Sequence, residues 1–171
     1  FCKSNFKINN NTFYLLPTKK LTNKYIKESY DYWNGGIPGT LEYGYQKDNV
    51  FAKQNSYEWF LQGDKFRYRQ YSNLERFASF SNFYGKSVLD IGPGRGQETH
   101  NYIKNGSNVT TFEYVEQGVN LIQKRRKLFK LDFPIVQGDA THLPFSNSSF
   151  DLVFSYGVLH HIPDMKKAIT E

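Results

Sequence analysis

The chain has 171 residues and a formal net charge of +6, from 22 Lys and Arg against 16 Asp and Glu. Its hydrophobic content of 39% and charged content of 22% exclude an acidic disordered tail and a low-complexity linker. The length indicates one domain, or one domain with a small appendage. No apolar run approaches the roughly 20 residues of a membrane-spanning helix, and the single Cys2 cannot form an internal disulfide. We therefore expect a cytoplasmic chain with no membrane association.

A basic chain is a candidate nucleic-acid binder, because clustered Lys and Arg side chains release phosphate counterions on binding. The densest cluster occupies residues 124–127 and continues at Lys130. It falls where Val119, Ile122 and Phe129 have the apolar spacing of a helix. We therefore interpret the cluster as the solvated face of that helix, and a nucleic-acid partner is disfavoured.

Both ends of the sequence look cut. The chain begins with Phe1, and its last segment, residues 163–171, starts a helix without a stop signal. We therefore expect a fragment that is truncated at both ends.

The N-terminal half predicts a hairpin followed by helices. Residues 1–20 hold strand formers on both sides of the asparagines at 9–11, and the pattern ends at Pro17, which is typical of a hairpin. Residues 21–84 are rich in aromatic side chains and predict a helical lead-in, interrupted at 34–39 by glycines and a proline.

From Lys86 onward, short strand patterns alternate with helical patterns. Because this alternation places crossover helices between strands, it predicts a parallel sheet in an α/β fold. The predicted strands are 87–91, 108–113, 133–137 and 150–155, and the predicted helices are 97–105 and 116–130.

A glycine loop follows the first of these strands and precedes a helix. Gly92, Gly94 and Gly96 let a ligand approach the main chain, and the helix presents its free N–H groups. The spacing is G-x-G-x-G rather than the G-x-G-x-x-G of dinucleotide binders, and Asp90 stands two residues before the first glycine. A carboxylate there repels a pyrophosphate and suits a positively charged ligand, such as the ammonium and sulfonium of S-adenosylmethionine.

Two more acids follow the next strands. Glu113 ends the second strand, 23 residues after Asp90, where a carboxylate can accept both hydroxyls of a ribose. Asp139 follows the third strand, where it can accept from an adenine amino group while Ala140 leaves room for the ring. Singly, Glu113 is as well explained as a surface acid and Asp139 as a turn cap. Three such signals at successive strand ends indicate a nucleoside site.

Several motifs together resemble a class I S-adenosylmethionine-dependent methyltransferase, of the type 11 subgroup that acts on small molecules. These motifs are the strand and glycines at 88–96, Glu113, residues 138–140 and the run at 143–164. The resemblance covers residues 86–171, and Pro93 and Glu113 are mild departures from the residues common in that family.

The resemblance implies S-adenosylmethionine as the cofactor and a Rossmann-like, seven-stranded parallel sheet. This chain would supply the strands in order 3-2-1-4, with residues 21–84 as an N-terminal helical cap and residues 85–171 as the methyltransferase domain. Strand four would then be an unpaired edge, so we expect the chain by itself to be inactive and to fold marginally or aggregate. The implied cofactor-binding residues are Asp90, Gly92, Gly94, Gly96, Glu113, Asp139, Ala140 and Ser155.

Methyl transfer requires an enzyme to align an acceptor and, where necessary, to remove its proton. His160 and His161 follow the fourth strand and are candidate bases, with packing or holding the loop as the alternative role. Tyr156 is a candidate for the acceptor pocket or for the core. The sequence after this strand resembles that of enzymes acting on sugars, lipids and quinone precursors. It has no Asn/Asp-Pro-Pro-aromatic run and no nearby Cys, which disfavours nucleobase methylation.

The N-terminal region adds weaker signals. Arg67 and Arg69 either meet an acidic acceptor or keep an exposed helix solvated, and we favour the solvated interpretation. Cys2 with the hairpin resembles the end of a zinc ribbon, but one Cys cannot hold zinc, so we predict no metal site.

Three other functions remain open. They are a non-catalytic nucleoside-binding subunit, an oxidoreductase with a nucleotide cofactor and an RNA methyltransferase. The glycine spacing and Asp90 argue against the oxidoreductase. The oligomeric state is not determined by any of these patterns.

Overall fold

The computed structural model describes residues 7–16, 24–35 and 52–171. Its strands are β1 (Lys7–Asn9), β2 (Thr12–Tyr14), β3 (Ser87–Ile91), β4 (Asn108–Glu113), β5 (Ile135–Gln137) and β6 (Leu152–Ser155). Its helices are α1 (Lys24–Gly35), α2 (Tyr57–Gln70), α3 (Leu74–Ala78), α4 (Gln97–Lys104), α5 (Glu116–Leu128) and α6 (Met165–Thr170), with 3₁₀ turns at Phe80–Phe83 and Leu159–His161.

The strands form one six-stranded sheet in the order β1-β2-β5-β4-β3-β6. The four strands β5, β4, β3 and β6 pair in parallel, which confirms the predicted 3-2-1-4 order and the Rossmann-like α/β fold. Strand β3 lies between β4 and β6, with Val88 opposite Val109 on one side and opposite Leu152 on the other. A central parallel strand is covered on both faces and is therefore usually rich in apolar residues. Residues 88–91 of β3 are all buried, as this position requires.

The predicted hairpin is present, but it does not stand apart from the rest of the fold. Strands β1 and β2 pair antiparallel around Asn10 and Asn11, whose φ angles of +47° and +55° suit the tight turn. Strand β2 then pairs in parallel with β5, with Thr12 opposite Ile135. The hairpin therefore extends the parallel sheet by two strands. The proposed relation to a zinc ribbon depends on Cys2, which lies outside the described residues.

Helices cover both faces of the sheet. On one face Val88 and Val109 pack with Leu74 of α3 and Tyr102 of α4. On the other face Leu89, Phe112 and Val136 pack with Ala168 of α6. Ile135 of β5 points to the first face, where it packs with Val119 and Ile122 of α5. Within the described ranges no helix has the length and apolar character needed to cross a bilayer.

Several predicted element ends differ from the structure for local reasons. Helix α5 stops at Leu128 instead of residue 130, because Lys130 takes a left-handed φ of +52°. Strand β5 begins at Ile135 instead of residue 133, since Pro134 has no N–H to give to a ladder. Helix α1 continues into the predicted break as far as Gly35, and the rest of that break lies outside the described residues.

Candidate functional site

A cavity of about 1320 Å³ opens at the carboxyl ends of β3, β4, β5 and β6. Ligand sites lie at this edge of parallel sheets because the loops that follow the strands converge there. The volume exceeds the roughly 300–1,000 Å³ of a pocket for one drug-sized molecule, so the cavity has room for two reactants. The predicted site residues on its wall are Gly92, Gly94, Glu113, Asp139, Ala140, Tyr156, His160 and His161.

The glycine loop forms the wall after β3. Gly92 has φ +67°, and a Cβ atom there would lie 2.4 Å from Cγ2 of Val158, so only glycine fits without displacing that loop. Gly94 also lines the cavity. Gly96 does not, because it forms the N-cap of α4 and faces the side chain of Arg125.

Asp90 lies behind the glycine loop rather than on the cavity wall. Its side chain is buried and accepts a hydrogen bond from Oγ1 of Thr99 in α4. Burial raises the pKa of Asp90 to about 7, although the Thr99 hydrogen bond favours the charged form. The Asp90 carboxyl therefore links β3 to α4 through a hydrogen bond. It does not line the cavity, so it can act on a bound ligand only through its electrostatic potential.

Glu113 lies at the cavity wall and is held by main-chain donors. Its Oε1 accepts the N–H groups of Tyr114 at 2.7 Å and Val115 at 3.1 Å. Burial raises the pKa of Glu113 to about 7, while backbone hydrogen bonds from Val115, Tyr114 and Gly94 oppose that shift. A Cβ atom on Gly118 would lie 2.5 Å from Cδ of Glu113, so a glycine in the first turn of α5 makes room for this carboxyl. Gly118 was not among the predicted site residues, although a glycine inside a predicted helix was the available signal.

Asp139 and Ala140 follow β5 and line the cavity together. Oδ1 of Asp139 accepts the N–H of Thr141 at 2.9 Å and its hydroxyl at 2.8 Å, so this acid closes a turn. Asp139 therefore both caps this turn and lines the cavity.

Two residues at the end of β6 take different positions. The Oγ of Ser155 donates to the carbonyl of Ile91 at 3.2 Å, and Ser155 does not line the cavity. Tyr156 does line it, and the guanidinium carbon of Arg67 lies 5.2 Å from the centre of its ring. Tyr156 is therefore part of the cavity wall as well as the edge of the core.

The two histidines form part of a short 3₁₀ turn at the cavity mouth. Their ring centres lie 3.9 Å apart, and the ring of His161 lies 4.6 Å from that of Trp33 in α1. Partial burial lowers the pKa of His161, and the neighbouring His160 adds to this effect. At neutral pH His161 is therefore neutral, which is the form that accepts a proton.

Helix α1 covers the cavity through three contacts that the sequence analysis did not identify. The ring of Tyr30 lies 5.2 Å from that of Tyr114, and Trp33 packs on His161. Oδ1 of Asn34 accepts the N–H of Gln117 at 3.0 Å, which caps α5 from another element because Val115 provides no side-chain cap. The aromatic content of residues 21–84 was the only sequence signal for this cover.

Arg67 of α2 contradicts the solvated interpretation. Its Nε donates to Oε1 of Glu98 at 2.5 Å, and the Glu98 side chain is only 4% exposed. Arg67 also lines the cavity, whereas Arg69 is exposed as expected.

The described residues contain no group of three or more His, Cys, Asp or Glu that could hold a metal ion.

The comparisons with known proteins agree with this geometry. Residues 89–171 match the family model described as a methyltransferase domain. This segment is therefore similar to a methyltransferase domain. A solved S-adenosylmethionine-dependent methyltransferase from Aquifex aeolicus aligns with a TM-score of 0.52 and 20% identity, over 57% of this chain and 54% of that chain. At this identity the structural likeness shows the shared fold alone.

Curated relatives match this chain at higher sequence identity. The phthiotriol/phenolphthiotriol dimycocerosates methyltransferase of Mycobacterium leprae is 34% identical over 106 residues, which are 60% of this chain and 38% of that protein. The demethylmenaquinone methyltransferase of Renibacterium salmoninarum is 36% identical over 88 residues, 51% of this chain and 35% of that protein. The chain thus spans less than two-fifths of the length of these relatives.

All the predicted cofactor-binding and catalytic residues, and Tyr156, lie within residues 89–171. Helices α1 and α2 lie outside the matched residues and supply the cavity cover, with Trp33 and Arg67 as its principal side chains. The family motifs therefore lie within residues 89–171, whereas α1 and α2 line the part of the cavity that the motifs do not form.

Proposed function

We propose that this chain is the cofactor-binding part of an S-adenosylmethionine-dependent methyltransferase that acts on a small molecule. The observation that carries the proposal is that the glycine loop, Glu113 and the pair at 139–140 line one cavity inside a methyltransferase domain. The motifs follow three successive strands, and the fold brings them to one edge of the sheet.

The residues present fit S-adenosylmethionine. Gly92 and Gly94 leave a main-chain cradle that a Cβ atom at Gly92 would fill. Glu113 presents a buried carboxyl that suits ribose hydroxyls, and Asp139 with Ala140 suits the adenine. Asp90, buried beneath the loop, adds negative potential for the cationic end. When bound, the cofactor supplies an electrophilic methyl group.

The protein itself has three tasks in this reaction. The cavity must place the acceptor atom in line with the methyl group, because alignment accounts for much of the barrier reduction. The second task is to limit the access of water to that space, and the residues of α1 and α2 that line the cavity are placed to do this. Where the acceptor loses a proton, His160 and His161 are the candidate bases, since both line the cavity.

The acceptor that this cavity suits is an apolar or aromatic molecule. Trp33, Phe66, Tyr71 and Tyr156 are aromatic residues among those that line the cavity. Two of the relatives are named for methylating phthiotriol dimycocerosates and demethylmenaquinone, a lipid and a quinone precursor. Both observations support a lipid or quinone-like acceptor for this protein.

Calorimetric titration of the full-length protein with S-adenosylmethionine and S-adenosylhomocysteine tests the proposal. We expect saturable binding that Glu113→Gln weakens about 10-fold, since hydrogen bonds to a charged group contribute about 1.5–3 kcal/mol. Glu116→Gln is the matched control, because Glu116 is an exposed acid three residues along the chain. A folded wild-type protein that binds neither compound would overturn the proposal.

A second step tests the transfer itself. The same protein is incubated with a labelled methyl donor and either demethylmenaquinone or a long-chain alcohol, and the extracted product is examined for label. Label in neither acceptor, with cofactor binding intact, would contradict the proposed acceptor class while leaving the cofactor assignment supported.

A further inference from the structure

Arg67 is placed on the cavity wall as a fixed cation. Only its Nε edge has a hydrogen-bond partner within the described parts of the chain, where it donates to Glu98 at 2.5 Å. Its two terminal nitrogens have no hydrogen-bond partner among the described residues, and Arg67 is one of the residues that line the cavity. With respect to that part of the chain, the terminal N–H groups are available to a bound ligand.

The surroundings of Arg67 hold its guanidinium in place. Glu98 is buried, and the hydroxyl of Tyr68 lies 3.5 Å from the same Oε1 atom. The guanidinium carbon lies 5.8 Å from the ring centre of Tyr71 and 5.2 Å from that of Tyr156. An ion pair at one edge and aromatic rings nearby limit the rotation of the side chain, which lowers the entropy cost of binding a second group.

The geometry of a guanidinium selects the chemistry of its ligand. Two parallel N–H groups match the two oxygens of a carboxylate, which a Lys ammonium cannot do. The nearby Glu98 neutralises part of the charge, so the subsite favours a ligand that uses directional hydrogen bonds over a diffuse anion.

We propose that Arg67 is the receptor for a carboxylate group of a molecule bound in the cavity. This inference rests on the proposed function and deepens it. The carboxylate has two possible sources, which are the amino-acid end of the cofactor and an acid group on the methyl acceptor. Calorimetry with two sets of ligands separates these two sources.

The first arm compares S-adenosylhomocysteine with methylthioadenosine, which lacks the amino-acid group. Calorimetry is done on the full-length wild type, on Arg67→Gln and on Arg69→Gln, a matched control that is exposed on the same helix. If the cofactor is the source, Arg67→Gln weakens S-adenosylhomocysteine about 10-fold or more and leaves methylthioadenosine within about 2-fold. A merely structural defect would weaken both compounds alike. Arg67→Lys is expected to restore only part of the affinity, because it lacks the paired donors.

The second arm titrates benzoate and its neutral counterpart benzamide into the complex with S-adenosylhomocysteine. If the acceptor is the source, the wild type prefers benzoate, and Arg67→Gln removes that preference without changing the affinity for S-adenosylhomocysteine. Unchanged behaviour of Arg67→Gln in both arms would overturn the subsite. Failure of the wild type to bind either nucleoside would instead overturn the proposed function, so the two failures are distinguishable.

Discussion

Asp90 and Glu113 are two buried carboxyl groups near the glycine loop, and burial shifts the pKa of both in the same direction. Burial raises the pKa of Asp90 and of Glu113 to about 7. Hydrogen bonds from the Thr99 hydroxyl at Asp90, and from main-chain N–H groups at Glu113, favour the charged form of each. Near neutral pH each group is poised between its two forms, so a ligand that donates hydrogen bonds or brings positive charge favours the carboxylate.

This balance predicts that ligand binding is coupled to proton release. Affinity for S-adenosylhomocysteine should rise from about pH 6 to about pH 8, because Glu113 must be ionised to accept both ribose hydroxyls. Calorimetry in buffers with different ionisation enthalpies measures the released protons. Glu113→Gln should flatten the pH dependence, and Glu116→Gln should preserve it. An affinity for the wild type that is constant over this range would contradict the prediction.

At the scale of elements, the helical cover is attached to the parallel sheet and its helices by an ion pair between α2 and α5. Arg125 is fully buried, and its Nη1 and Nη2 donate to the carboxylate of Asp64 at 3.0 and 2.5 Å. The guanidinium carbon also lies 4.8 Å from the ring centre of Phe60 and 5.0 Å from that of Phe129. Since the charge of Arg125 has no access to water, Asp64 is the group that compensates it.

Removing Asp64 should therefore cost more than removing a surface acid. Asp64→Asn is expected to lower the free energy of unfolding by about 3 kcal/mol, because it leaves a buried cation without its counter-charge. Urea denaturation followed by circular dichroism measures this change. Glu58→Gln, an exposed acid on the same helix, is the control and should change stability by less than about 0.5 kcal/mol. A similarly small effect of Asp64→Asn would show that the pair does not attach the cover.

At the scale of the whole molecule, the sheet has unequal edges. The hairpin covers the β5 side, with Arg126 of α5 donating to the carbonyls of Asn10 and Asn11. At the other side β6 pairs only with β3 among the described strands, and Val153 is 55% exposed there. An apolar strand edge without a partner is a template for pairing with another chain.

The 171-residue chain by itself is therefore expected to self-associate through β6. Val153→Lys should shift the chain toward monomer, because a charged residue on an edge strand opposes pairing. Sedimentation velocity at several concentrations measures the distribution. Ile169→Lys makes the same change on exposed α6 and should leave association unaltered. Equal effects of both substitutions would indicate that net charge, rather than the edge, controls association.

The basic cluster shows where prediction from the sequence failed. Helical spacing correctly placed residues 124–127 on a helix, and Lys124 and Lys127 are exposed as expected. Arg125 and Arg126 are instead bound by Asp64 and by hairpin carbonyls. These partners lie 61 and 116 residues away in sequence. No local pattern can show which of four adjacent cations meets a distant acid.

The sequence by itself determined the parallel α/β class and the motifs at the strand ends, whereas the strand order was implied by the resemblance to a known family. Both depend on local signals: hydrophobic runs set the strands, glycines set the loop, and acids such as Glu113 follow at fixed positions. Only the tertiary structure decided that Asp90 lies behind the cavity, that Arg67 lines it, and that the hairpin joins the sheet. Those outcomes depend on burial and on pairing between segments far apart in the chain, whose free energy no short stretch of sequence contains.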